Sequence, residues 1–475
     1  MGCKTKFCAN VSNLHDEVTG SCHYVCVTFP DETNVNFIVD CGLFQEKKYT
    51  NNNNSFPFIP SNLDFLLITH THIDHIGRIP LLYKKGFSGK SYISSIGKPF
   101  LKDALNNTAS IFLQNKARNN ECSNVLYDTI DVENTLSKTT DIDYDKTFYP
   151  HTNIRITLFE NYHSIGASFI LVQIMYKEEK PINMLFLGDI CFESNFRKYC
   201  DLPDYIYNLD LTIFTESTYG TTNLKDIEKR FEKNIISAIE QNKSIFLPAF
   251  SMQRTQELLL ALKKMQLNNT LPTSIPIYSD GALSIGYTKK FLDLSFSFKT
   301  DAKEFLPENF CYVSKNIRSE IITSNTQKII ISSSGMCSYG PAVTYIRNFL
   351  SNPNYLINLT GYSAEGTLSR KLFESINVDD SIITIQGVPK LKLCEVNYSF
   401  EFSSHAKKDE LILFFNKFKN LKLLMISHGS TEVKQEFSKE CLKKVSSKDI
   451  AIQSSDTVFK ISSYGLIKSY SSKFI

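Results

Sequence analysis

Apolar runs of strand length recur along this chain, and several of them end in a histidine or a carboxylate. Asp64-Phe-Leu-Leu-Ile leads into Thr69, the run over 154–161 leads to His163, and Asn183-Met-Leu-Phe-Leu-Gly leads to Asp189. Leu211-Thr-Ile-Phe-Thr precedes Glu216 in the same way, and Leu423-Leu-Met-Ile-Ser precedes His428. Short apolar runs bounded by turn signals read as buried strands, and side chains delivered at their ends enter loops, where binding and catalytic groups concentrate. Near the N-terminus, Val18-Thr-Gly-Ser-Cys, Tyr24-Val-Cys-Val-Thr-Phe and Asn36-Phe-Ile-Val-Asp-Cys-Gly-Leu-Phe-Gln read as paired strands, the last closing on Asp40. The spacing predicts a helix over 99–114, then a polar, partly helical segment to Tyr149, while Asn51 to Ser55 reads as a loop tip.

From about 222 to 390 the pattern changes to helices alternating with strands. Helical spacing over 226–241 and 254–266 alternates with strand-like runs beginning at Ser244, Ile275, Lys328 and Tyr355. That alternation predicts a parallel sheet wrapped by helices.

Composition narrows the class. A chain of 475 residues that is 42% hydrophobic can bury large cores and is expected to form two to three domains. The net charge of +3 gives no diffuse attraction for a polyanion, so any such site must be a local cleft. Twelve scattered cysteines with no C-x-x-C pair argue against a zinc ribbon or a disulfide framework and for a reducing compartment. No apolar run approaches the roughly 20 residues of a membrane span. Met1-Gly-Cys lacks the apolar core of a signal peptide, and Lys6 stands where myristoylation of Gly2 asks for Ser or Thr. The expected location is the cytoplasm, with no membrane partner.

The densest chemistry lies in Thr69 to Pro80, T-H-T-H-I-D-H-I-G-R-I-P. His70 and His72 are two residues apart, so in an extended segment they point the same way and suit one zinc ion; Asp74 and His75 offer a second pair. One tetrahedral ion with an open position needs three protein ligands. Four donors in so short a stretch therefore point to two ions completed from elsewhere. The carboxylate of Asp189, with two oxygens, can bridge cations about 3.5–4 Å apart, which an imidazole cannot do.

The string H-T-H-I-D-H resembles the H-x-H-x-D-H signature of the metallo-β-lactamase fold, and its flanks resemble the nucleic-acid-processing branch of that fold, the β-CASP nucleases. Further motifs extend the resemblance over nearly the whole chain. D-C-G-L-F-Q follows Val39, E-S-T-Y-G begins at Glu216, and P-A-F-S-M-Q-R-T-Q-E-L-L begins at Pro248. S-S-G-M-C-S-Y-G, G-Y-S-A-E-G-T-L-S-R, F-S-S-H-A and S-H-G-S come later. N-Y-H-S-I-G-A-S is similar to the family's G-H-x-x-G-S, with Asn161-Tyr162 before the histidine. Tyr339 stands where many relatives carry arginine, and Ser430 where they usually carry glutamate. Ser333, Gly335, Gly361 and Gly366 read equally well as tight turns or as backbone contacts to phosphate.

The resemblance implies an α/β architecture: a metallo-β-lactamase αββα sandwich over residues 1–216, an inserted β-CASP α/β domain over 217–390, and a return to the sandwich over 391–475. It implies two zinc ions, one on His70, His72, His163 and Asp189, the other on Asp74, His75, Asp189 and His428. Asp40 would orient the metal loop. A hydroxide activated by both metals would attack a backbone phosphorus, and His405, positioned by Glu216, would protonate the leaving oxygen. In the family a histidine at the last motif goes with RNA, so His428 points to a ribonuclease of single-stranded RNA. An endonuclease is expected over a 5′-exonuclease of the RNase J type, because the stretch after His428 leaves no room for the C-terminal domain those enzymes carry. A thioester or lactam hydrolase on the same metal core is the rival. A homodimer or the subunits of a processing complex are the protein partners left open.

Overall fold

The computed structural model describes residues 7–119, 125–361, 363–378 and 380–471. Gly2, Cys3, Lys6 and Tyr362 lie outside the described residues. The chain divides into two units, one of residues 1–193, 199–224 and 404–475, the other of 194–198 and 225–403.

In the first unit two sheets face each other. The eight-stranded sheet runs Gly465–Ser471, Thr457–Ser462, Cys8–Asn13, His23–Thr28, Asn34–Val39, Phe65–Leu67, Lys90–Ser94, Thr139–Ile142. The seven-stranded sheet runs Asp449–Ile452, Leu421–Ile426, Leu211–Thr215, Ile182–Phe186, Ser168–Ile174, Ile154–Glu160, Thr147–His151. Side chains alternate across a strand, and here both faces are covered. Phe65, Leu67, Met184, Phe186 and Phe214 point into the core shared by the two sheets. Leu66 and Ile68 pack outward with Ile79, Leu82, Leu101 and Leu105, while Leu185, Ile213 and Leu424 pack outward with Leu411, Phe415 and Phe437. Helices thus cover both outer faces, which gives the αββα sandwich. Burial on both faces is also why these strands read as unbroken apolar runs.

The second unit holds a parallel six-stranded sheet in the order Phe310–Tyr312, Ile277–Asp280, Ile329–Ser332, Ser244–Pro248, Tyr355–Leu359, Glu395–Tyr398. Helices Phe231–Glu240 and Arg254–Leu267 flank its Ser244–Pro248 strand in sequence, as the alternation predicts; the first starts five residues later than the spacing implied.

Two local expectations are corrected. Val18–Cys22 is not a strand: Gly20 takes φ +86°, and its Cα lies so near the Phe44 ring that a Cβ would come within 2.4 Å. Cys8–Asn13 pairs with His23–Thr28 instead. Asn51 to Ser55 is no loop tip either. A 3₁₀ helix spans Lys47–Asn54, and its buried Asn53 accepts from the Phe44 N–H at 2.8 Å and donates to the Phe44 carbonyl at 2.9 Å. Among the described residues no helix is long and apolar enough to cross a membrane.

Candidate metal centre

The histidine-rich loop leaves the strand Phe65–Leu67 and is fastened at once. Thr69 donates its N–H to Asp40 Oδ1 at 2.8 Å and its hydroxyl to Asp40 Oδ2 at 2.7 Å. After His72 the chain makes one helical turn, Ile73–Ile76, which carries Asp74 and His75. Gly42 lies against this turn so closely that a Cβ would stand 1.5 Å from the Asp74 carbonyl oxygen, so only glycine lets the two segments approach. Two non-glycine residues here have left-handed backbone, Asp40 at φ +62° and His428 at φ +46°. Such conformations cost about 1–3 kcal/mol each and concentrate at functional sites.

Hydrogen bonds fix which nitrogen each imidazole turns inward. His163 Nδ1 lies 2.7 Å from the Ser404 carbonyl oxygen, an acceptor only, so Nδ1 carries the proton and Nε2 is free to accept. His75 Nδ1 is 2.7 Å from Asp40 Oδ2, so Nδ1 carries a proton and Nε2 is the nitrogen turned toward the cluster. His70 Nδ1 is 3.0 Å from the Thr69 hydroxyl, whose own hydrogen is given to Asp40, so His70 Nε2 is also a free lone pair. The inward-facing nitrogens then meet others: His163 Nε2 is 2.9 Å from His72 Nδ1, and His75 Nε2 is 3.2 Å from His428 Nε2.

Asp189 lies between these pairs. Its Oδ2 is 3.8 Å from His70 Nε2 and 3.6 Å from His163 Nε2, while its Oδ1 is 3.3 Å from both His75 Nε2 and His428 Nδ1. Asp74 Oδ2 lies 3.8 Å from His428 Nε2. Two groups result that could each hold a cation, His70, His72, His163 and Asp189, and Asp74, His75 and His428. The donor set fits metal ions by a direct test: His70 Nε2 and Asp189 Oδ1 are buried without a hydrogen-bond partner, and buried polar atoms are nearly always satisfied.

Burial and mutual repulsion hold His70 and His163 well below the ordinary imidazole value, so both are neutral donors. Burial opposes charge on His75 too, but the Asp189 and Asp40 carboxylates outweigh it and raise that imidazole. Burial opposes the Asp189 anion, yet the His428 and His75 charges pull its value well down.

His405 stands at the edge of this cluster, its ring 4.6 Å from that of His163. Its Nδ1 bonds Glu216 Oε2 at 2.8 Å, and Glu216 Oε1 accepts from the Ile190 N–H at 2.7 Å. Glu216 is 1% exposed and the His405 side chain 22%, so carboxylate and imidazole point from the interior toward solvent. Burial lowers His405, but the charge of Glu216 and its hydrogen bond prevail and raise it above the ordinary value. His405, Glu216 and Asp189 also lie close enough to form a third potential cation group.

The ten residues expected from the sequence to hold metal or act in catalysis therefore meet in the first unit: the seven donors including Asp189, Asp40 beneath the loop, and Glu216 and His405 at the rim. Ser333, Gly335, Gly361 and Gly366 belong to the second unit. Ser430 caps helix Thr431–Lys444, accepting from the Val433 N–H at 3.3 Å. Sequence reasoning missed His15 and His23. Both are buried, with ring centroids 6.0 Å apart, and His15 lies 6.0 Å from His428. Burial pulls His23 down to about 3 and His15 well below the ordinary value, so both are neutral. Nothing in the apolar pattern distinguishes them from core residues. Asp40→Asn is expected to weaken metal binding about 10–100-fold, the usual worth of a carboxylate that orients a ligand histidine. Zinc titration against a chromophoric chelator checks it, and an unchanged affinity would leave Asp40 as a loop fastener only.

Fold and site together define a metallo-β-lactamase-type protein with a second α/β unit inserted in its sandwich. Residues 16–150 match the metallo-beta-lactamase superfamily, residues 255–372 the Beta-Casp domain, and residues 393–452 the Zn-dependent metallo-hydrolase RNA specificity domain. The chain belongs to the β-CASP family of metallo-β-lactamase-fold proteins. It is 29% identical over 439 residues to the transcription termination factor FttA of Methanocaldococcus jannaschii, covering 87% of this chain and 65% of that protein. With the FttA of Methanosarcina mazei it shares 25% over 444 residues, 89% of this chain and 67% of the relative. With the RNase aCSPSF2 of Saccharolobus solfataricus it shares 27% over 440 residues, 87% of this chain and 80% of the relative. The chain thus spans 55–67% of the length of the termination factors it matches.

Proposed function

We propose that the chain is a metal-dependent ribonuclease that hydrolyses phosphodiester bonds of single-stranded RNA, endonucleolytically, with two zinc ions. The observation that carries this reading is Asp189, one oxygen turned to the His70, His72 and His163 group and the other to His75 and His428. On this reading His70, His72, His163 and Asp189 hold one ion, and Asp74, His75, Asp189 and His428 the other. When bound, such ions supply Lewis-acid charge to a phosphoryl group and a nucleophile at neutral pH.

The remaining work falls to the chain's own groups. Asp40 and Thr69 hold the histidine loop in one tautomer and orientation. Glu216 binds His405 through Nδ1, so the transferable proton resides on Nε2 and passes to the leaving oxygen as the P–O bond breaks. The matched RNA specificity domain and the relative named an RNase support RNA as substrate, and the name of that domain supports zinc. Cys8, Cys22, Cys41 and Cys441 are buried free thiols, which supports a reducing compartment, the cytoplasm.

Incubation with single-stranded RNA labelled at either end, with and without chelator, tests the reading. Internal cuts that vanish with chelator and return with zinc are expected. Release of mononucleotides from the 5′ end alone would overturn the endonucleolytic part, and hydrolysis confined to thioesters or lactams would overturn the whole.

A further inference from the structure

We infer that Asn161 is a positioning residue that sets the spacing between two metal ligands, His163 and Asp189, which the sheet itself leaves unconnected; this rests on the two-metal reading above. The strands that deliver these ligands, Ile154–Glu160 and Ile182–Phe186, are not neighbours, because Ser168–Ile174 lies between them. Neighbouring strands are about 4.8 Å apart, so the two ligand-bearing ends are separated by roughly twice that, and no backbone ladder joins them directly. Asn161 spans the gap. Its Nδ2 donates to the Asp189 carbonyl at 2.6 Å and to the Leu187 carbonyl at 3.0 Å. Its Oδ1 accepts from the His163 N–H at 3.0 Å and from the Cys191 N–H at 3.4 Å.

A carboxamide has two donor hydrogens and an oxygen with two lone pairs, so every bonding position of this side chain is used. A flipped amide would set oxygen against two carbonyls and NH₂ against two N–H groups, so the network admits one orientation only. The side chain is 2% exposed and free of solvent competition. His163 and Asp189 have other supports, the Ser404 carbonyl on the His163 ring and Thr69 packed beneath Gly188, but each of those holds one ligand. Asn161 bonds the backbone of both, and the distance it governs is the 3.6 Å between His163 Nε2 and Asp189 Oδ2. Groups that orient metal ligands in this way typically contribute a factor of about 10–100 to metal affinity.

The test compares wild type with Asn161→Ala, Asn161→Ser and, as control, Asn183→Ala. Asn183 is a buried asparagine of the same sheet whose bonds go to Gln173 and the Asp210 carbonyl rather than to a ligand loop. Cobalt(II) is titrated into metal-free protein against a chromophoric chelator, the visible spectrum of the bound ion is recorded, and melting is followed by circular dichroism. The expected result is about a 10–100-fold weaker affinity and an altered cobalt spectrum in Asn161→Ala, with Asn161→Ser between it and wild type. Asn183→Ala should melt earlier but bind cobalt as wild type does. Wild-type affinity and spectrum in both Asn161 variants would overturn the inference alone, as would failure of both to fold, which would make the residue purely structural. A wild type that takes up no cobalt would overturn the functional reading itself, and this inference with it.

Discussion

Asp189→Ala is expected to strip the protein of at least one metal ion per chain and to slow RNA cleavage by roughly 10³-fold or more. The reason is geometric: one carboxylate serves both ligand groups, with its two oxygens 3.3–3.8 Å from four imidazole nitrogens. Removing it leaves each group a donor short and takes away the carboxylate whose two oxygens face both groups. Metal-derived charge stabilisation is worth several kcal/mol in hydrolases of this type, and each 1.36 kcal/mol is about a tenfold change in rate. Elemental analysis of wild type and variant, purified side by side, gives the direct answer. Two ions retained by the variant would remove Asp189 from the centre, and fewer than one in the wild type would sink the two-zinc reading.

His405→Ala should behave differently, keeping its metal and its affinity for RNA while cleavage slows by about 10²–10⁴-fold, the usual contribution of a general acid. Seven donors already serve two ions if Asp189 is shared, so the imidazole at the rim is not needed to hold them. Glu216 pushes its proton affinity up, and the ring is the part of the dyad that reaches solvent. Glu216→Gln is expected to give a smaller loss, since the amide can still fill the site but no longer supplies the charge that raises His405. Metal analysis, RNA binding and single-turnover cleavage on each variant separate the outcomes. Loss of metal in His405→Ala would make this histidine a ligand, as its place in a third potential cation group allows, and normal cleavage would make it structural.

Much of the architecture is legible in the sequence because its signals are local. The ends of Phe65–Leu67, Ile182–Phe186 and Leu211–Thr215 announce themselves by apolar runs that stop at His, Asp or Glu, since a strand buried on both faces is mostly apolar until it reaches the loop. The helix and strand alternation between 244 and 359 likewise announces its parallel sheet. The N-terminal strand did not show itself: Cys8–Asn13 carries asparagine and serine, and the more strand-like Val18–Cys22 is bent by Gly20 around Phe44. His15 and His23 were hidden for a related reason, because a buried histidine has no periodic signature.

By itself the sequence determined which residue types stand at which strand ends, and so the donor inventory of the centre. Only the tertiary structure decided which atoms face one another. His75 meets His428 from the far end of the chain, and the Ser404 carbonyl fixes the tautomer of His163. The two carboxylate oxygens of Asp189 divide between two groups, and Asn161 reaches across a strand to join two ligand loops. These contacts follow from strand order and from single hydrogen bonds between residues far apart in the chain. Strand order is set by how whole sheets close over a shared core, and no local pattern of apolar and polar positions encodes it.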